Sequence, residues 1–144
     1  MPDAGKGTYT LIMSLRAPRR IRVGALGELY FDAGYYAYTG SALGSGGFAR
    51  VERHRAVAEG RNSVRRWHID YLLPYVDIIE TVTSPRPECV VASEIDRQLA
   101  RVPRFGCSDC RCPTHLHYSD SIDKMMDAVK RAHQKFYPAI DEGY

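Results

Sequence analysis

A chain of 144 residues fits one compact domain, and its 44% hydrophobic and 26% charged content is that of a globular protein. No apolar run reaches eighteen residues, which excludes a membrane-spanning helix, and residues 1–7 lack the apolar core of a signal peptide, so a cytoplasmic protein is expected. The net charge of +3 is too small to mark a nucleic-acid binder by itself, although the positive charge is mostly arginine and is clustered at Arg16, Arg19, Arg20 and Arg22, and again from Arg50 to Arg66.

Residues 8–15 alternate, with Tyr9, Leu11, Met13 and Leu15 on one side and Thr8, Thr10, Ile12 and Ser14 on the other, the period of a strand. Residues 17–20 read as a turn. Residues 21–24 and 28–31 form a short hairpin around Ala25-Leu26-Gly27. Residues 35–42 are aromatic and β-prone and give a second main strand. A glycine-rich loop at residues 44–47 leads into a helix over 48–58 that stops at Gly60.

Residues 65–73 predict a short helix ended by Pro74, and residues 76–83 a third main strand. Ser84 is placed to cap a helix running to about Arg101, with Val91, Ile95, Leu99 and Val102 as its apolar stripe. Residues 103–118 read as a loop with a short strand at 115–118. A last helix spans 120–136, with Ile122, Met125, Met126 and Val129 inward. The fold class is mixed α/β (α+β): a small antiparallel sheet flanked by helices, with an extra hairpin between its first two main strands. One domain is expected over 1–144, with its core at 7–118.

Two short stretches carry a specific resemblance. Gly7-Thr8-Tyr9 and Tyr38-Thr39-Gly40, followed by Arg50 and His54 one helical turn apart, resemble the two half-motifs and the helix of the GIY-YIG nuclease superfamily. Threonine stands for isoleucine in both halves and keeps a β-branched strand former there. The resemblance implies a divalent-metal-dependent endonuclease that hydrolyses DNA phosphodiester bonds. In that reading Tyr9 is the general base or orients water, and Tyr38 orients phosphate or water. Arg50 stabilises the transition state, and His54 assists the leaving group or binds phosphate. Glu94 holds Mg²⁺ or Mn²⁺, with Glu88 a competing carboxylate on the same helix.

The chemistry agrees with this reading on general grounds. Phosphodiester hydrolysis needs a base for water, a Lewis acid and positive charge on the developing oxyanion. Arg53, Arg61, Arg65 and Arg66, with the loop backbone at Gly46 and Gly47, are the candidate nucleic-acid contacts. The partner implied is DNA, whether duplex, branched or damaged, with no membrane and no small-molecule ligand. The stretches 38–42, 66–73 and 105–116 resemble one poorly characterised branch of that superfamily, common in archaea and sometimes fused to an endonuclease III-like glycosylase, which implies a role in DNA repair. The alternative is a non-catalytic nucleic-acid-binding module of the same fold.

Cys107, Cys110, Cys112 and His115 have the composition of a zinc site, but their spacing is cramped for four tetrahedral ligands; a loop packed by small, soft side chains, with a weak structural disulfide or none, is the competing reading. A disulfide framework is not expected. Trp67 is expected in the core, and His68 as a partner for a backbone group.

Overall fold

The computed structural model describes residues 7–42, 48–106, 112 and 114–134. Its centre is a strand, β1 (Thr8–Leu15), paired antiparallel on one side with β4 (Gly34–Ser41) and on the other with β5 (Asp77–Ser84). Two short strands, β7 (Leu116–Ser119) and β6 (Ala100–Arg101), extend the sheet beyond β4, giving the order β5-β1-β4-β7-β6. Every pairing is antiparallel. The remaining strands, β2 (Arg19–Arg22) and β3 (Glu28–Phe31), form the separate hairpin expected between the first two main strands.

Alternation along β1 builds two cores. Tyr9, Leu11, Met13 and Leu15 face one layer, completed by α1 (Ala49–Ala58), α2 (His68–Leu72) and the hairpin through Val57, Ile69, Leu72, Ile21 and Phe31. Ile12 and Ala37 face the other, filled by α3 (Glu88–Asp96) and α4 (Ile122–Gln134) through Val91, Ile95, Met125 and Val129. A one-residue register slip on β1 would exchange these two faces, so the pattern specifies the pairing strongly. Each fully buried Leu, Ile or Met contributes roughly 1.5–3 kcal/mol, and Leu11, Ile12 and Met13 of this strand are all fully buried.

The two threonines of the half-motifs have partners that explain them beyond β-branching. The Thr8 hydroxyl donates to the Arg86 carbonyl in the segment leading to α3. Thr39 shares a hydrogen bond of 3.0 Å with Thr10, which reaches His133 of α4 at 2.8 Å; His133 closes on Ser84 at 2.7 Å. These are buried polar groups whose hydrogen bonds are made, as burial requires.

Three expected boundaries move. The helix expected from residue 65 begins at His68, because the Asp70 carboxylate accepts the backbone N–H groups of Arg66 (2.6 Å) and Trp67 (2.9 Å) and caps it there. The long helix expected from Ser84 begins four residues later. Ser84 still belongs to β5, opposite Thr8, and Pro87 takes the N-cap position. The same helix ends at Asp96, since Ala100 and Arg101 pair with Tyr118 and His117 instead of continuing the turns. Leu99 keeps its place in the core, whereas Val102 packs against the opposite layer.

Candidate active site

Tyr9 and Gly40 are directly opposite each other across β1 and β4, so the two half-motifs meet as cross-strand neighbours. A Cβ at Gly40 would come within 2.6 Å of Tyr9 Cζ. The glycine therefore makes room for the tyrosine ring. Tyr38, one side-chain period along β4, lies with its ring centroid 6.5 Å from that of Tyr9.

These residues open onto a cleft of about 260 Å³, also lined by Arg50, Arg66, Trp67, His68, Glu88 and His115. Arg50 and His54 occupy one face of α1, as their spacing predicts, but they do different things. Arg50 reaches the cleft, donates to the Ser41 carbonyl at 2.9 Å and stacks over Trp67 at 4.8 Å. His54 is fully buried and its Nε2 lies 2.7 Å from the Tyr9 hydroxyl oxygen. It does not line the cleft, so the direct contact with phosphate or leaving group expected from the sequence gives way to an indirect one through Tyr9.

Burial sets the proton affinities of this pair. It pulls the His54 pKa from 6.5 down to about 4; Asp70 works against that shift, and Arg53 and Arg50 add to it. Burial also drives the Tyr9 phenol well above its ordinary value, helped by Tyr38 and Glu88 and opposed by Arg50. At neutral pH the pair is a neutral imidazole beside a neutral phenol.

Among the described residues, the carboxylate that lines the cleft is Glu88. Glu94, the metal ligand expected from the sequence, lies further along α3, outside the cleft, with its carboxylate 4.0 Å from Arg97. Glu88 is the first residue of α3 and lies against His115, which is hydrogen-bonded to Thr39 of β4. Glu88 Oε2 is 3.2 Å from His115 Nδ1, which also meets the Thr39 carbonyl at 3.0 Å. Burial raises the Glu88 carboxyl, while His115 and Arg50 counteract it. A half-buried carboxylate on a polar cleft of this size suits a hard divalent cation, which takes one or two carboxylates and keeps several waters.

The remaining arginines divide. Arg50, Arg53 and Arg66 all stack on Trp67, at 4.8, 4.6 and 5.7 Å. Arg53 is held by Asp70 through bonds of 2.9 and 3.2 Å. Arg61 pairs with Glu59 and Glu52 on the outer surface, and Arg65 contacts the Val64 carbonyl; neither lines the cleft. Trp67 thus belongs to the cleft wall as much as to the core. His68 accepts the Gly106 N–H at 2.8 Å, the backbone role expected for it. Gly46 and Gly47 lie outside the described residues.

A second cluster lies behind Glu88. Cys89 and Cys112 are bonded as a disulfide with Cα atoms 6.2 Å apart, a link the sequence reading did not expect. With His115 they form a group whose ligand atoms all lie within 4.8 Å of one another, able to hold a metal ion. Cys112 and His115 are the two residues of the candidate zinc site that come together here. Cys107 and Cys110 lie outside the described residues, and Cys89 is 23 positions away from Cys112, too far for close spacing to reveal it.

Among the described residues no helix is long and apolar enough to cross a membrane. A family model described as a domain of unknown function, DUF123, matches residues 8–138, and the chain belongs to that family. No match is found among curated proteins or among solved structures.

Proposed function

We propose that this member of the DUF123 family is a divalent-metal-dependent endonuclease of the GIY-YIG kind, acting on DNA. The single observation that carries this reading is the convergence of Tyr9, Tyr38, Arg50 and Glu88 on one cleft, with His54 bonded to Tyr9 from behind. Tyr9, Tyr38, Arg50 and His54 belong to the half-motifs and the helix that follows them, and Glu88 is the carboxylate that competes with Glu94 in the sequence.

The residues divide the work of hydrolysis. Water attacks phosphorus, a new P–O bond forms and the bond to the departing oxygen breaks. The Tyr9 oxygen accepts a proton from water as His54 Nε2 accepts the phenolic proton, so no lasting phenolate is needed. His54 is a weak base at a pKa of about 4 and gains the proton only as negative charge is spread over the phosphoryl group. Arg50, fixed by Ser41 and Trp67, faces that charge with a preset guanidinium. Tyr38 offers a hydroxyl to the phosphate or the water. Glu88 would hold Mg²⁺ or Mn²⁺, which when bound supplies Lewis-acid polarisation of the phosphoryl oxygen and lowers the pKa of water. Arg66, with the arginines on Trp67, provides the positive lip along which a phosphate backbone lies.

The arginine cluster on Trp67 also favours a second reading, a non-catalytic module that binds nucleic acid by phosphate contacts. A nicking assay on supercoiled and branched DNA with Mg²⁺ or Mn²⁺ separates the two. Cleavage by the wild type and its loss in Tyr9→Phe, Arg50→Ala and Glu88→Gln supports the nuclease. Clean wild-type protein that binds DNA with steep salt dependence and cuts none of these substrates supports the module. A place in DNA repair would follow from preference for branched or damaged forms in the same assay.

A further inference from the structure

We propose that in the reduced chain Cys89, Cys112 and His115 bind a zinc ion, and that this ion locks the start of α3 to the segment preceding β7. The site differs in residues and in chemistry from the cleft cation. Two sulfurs and an imidazole are a soft donor set, suited to zinc and poorly suited to Mg²⁺ or Mn²⁺.

Three observations support it. The three ligand atoms lie within 4.8 Å of one another and come from two separate elements, Cys89 on α3 and the pair Cys112 and His115 on the approach to β7. The Cα separation of 6.2 Å between the cysteines suits two thiolates on one ion as well as a direct bond. His115 is 1% exposed, and its Nδ1 lies 3.0 Å from the Thr39 carbonyl and 3.2 Å from Glu88 Oε2. A metal-bound histidine is normally oriented in this way, donating one ring N–H to a carbonyl or carboxylate while the other nitrogen takes the metal. A disulfide has no use for such an imidazole at its side.

The binding step is balanced without an oxidant. Each thiol releases its proton to solvent, the two thiolates and His115 Nε2 coordinate the ion, and a fourth donor completes the tetrahedron. The consequence for the cleft rests on the reading of Glu88 given above. Zinc, His115 and Glu88 then form a metal–histidine–carboxylate series, and Glu88 is aimed into the cleft by a rigid support.

The test uses intact wild-type protein purified under reducing conditions. Zinc content is measured by plasma mass spectrometry, and cysteine protection by alkylation and peptide mapping. About one zinc per chain is expected, with Cys89 and Cys112 protected until a chelator removes the metal. Cobalt(II) added to the stripped protein should give thiolate-to-metal charge-transfer absorption. Cys89→Ser and Cys112→Ser each remove a ligand and should abolish stoichiometric zinc binding, whereas Glu88→Gln leaves all three ligands in place and should weaken zinc affinity by no more than about 10–100-fold. Reduced protein that takes up neither zinc nor cobalt overturns the proposal. So does zinc bound while Cys89 remains open to alkylation. None of these readouts involves cleavage, so an inactive nuclease with bound zinc would count against the function and leave the zinc site standing.

Discussion

The Tyr9 hydroxyl oxygen lies 2.7 Å from Nε2 of His54, a contact between the first strand and the first helix that is sealed from solvent. Tyr9 therefore has two sides, one facing a polar cleft and one facing a neutral imidazole. Tyr9→Phe keeps the ring against Gly40 and deletes the shared proton. It should lower cleavage by about 100-fold or more, the usual worth of a positioned acid–base group. It also leaves the buried Nε2 without its partner, which should cost about 1–2 kcal/mol in urea unfolding.

Gly40→Ala tests the same contact from the other strand. A methyl group 2.6 Å from Tyr9 Cζ cannot be accommodated without moving the ring. Overpacking of this kind costs about 1–3 kcal/mol. Thermal unfolding should show the loss, and cleavage should fall with it because Tyr9 is displaced from the cleft.

Asp70 is a structural acid. It is fully buried, and burial alone would raise its carboxyl. The bonds from Arg53, Trp67 and Arg66 outweigh that and hold it below the ordinary range. Its contribution is present above the unfolded carboxylate pKa and is lost as pH falls through the lower folded value. Asp70→Ala should destabilise the protein by about 3–5 kcal/mol, since it strands Arg53 and uncaps α2. Chemical denaturation at neutral pH measures it.

Acid should weaken the fold from about pH 6.5 downward. His54 and His133 are both held neutral by burial, each shifted from 6.5 to about 4. Between those values the unfolded chain binds protons that the folded chain refuses, so stability rises with pH across this window and falls on acidification. Denaturation midpoints followed from pH 7 to pH 4 should decline steadily. His133→Gln, which can keep a bond to Thr10 or Ser84, should flatten that decline.

Much of the sheet was legible because its signals are local. Alternation in β1, the β-branched and aromatic run of β4, and the paired glycines of the half-motifs each act over a few residues. The arginine and histidine of α1 were legible as well, but not their separate roles, which depend on which side of Tyr9 each one reaches. Glu94 is favoured over Glu88 on the same reading that starts α3 at Ser84, and the structure places Glu88, not Glu94, on the cleft. Ser84, Pro85 and Pro87 all resemble cap residues, and only the ladder between Thr8 and Ser84 assigns Ser84 to the strand. Cys89 carries no local signal because its partners lie on another element, and sequence spacing does not report proximity across a fold.

The most direct test of the account is the choice of carboxylate. Supercoiled DNA should be nicked by the wild type with Mg²⁺ or Mn²⁺, nicked at a comparable rate by Glu94→Gln, and left intact by Glu88→Gln, with all three proteins folded to the same thermal midpoint. Full activity in Glu88→Gln, or loss of activity in Glu94→Gln alone, would contradict the assignment of the cleft as the catalytic centre.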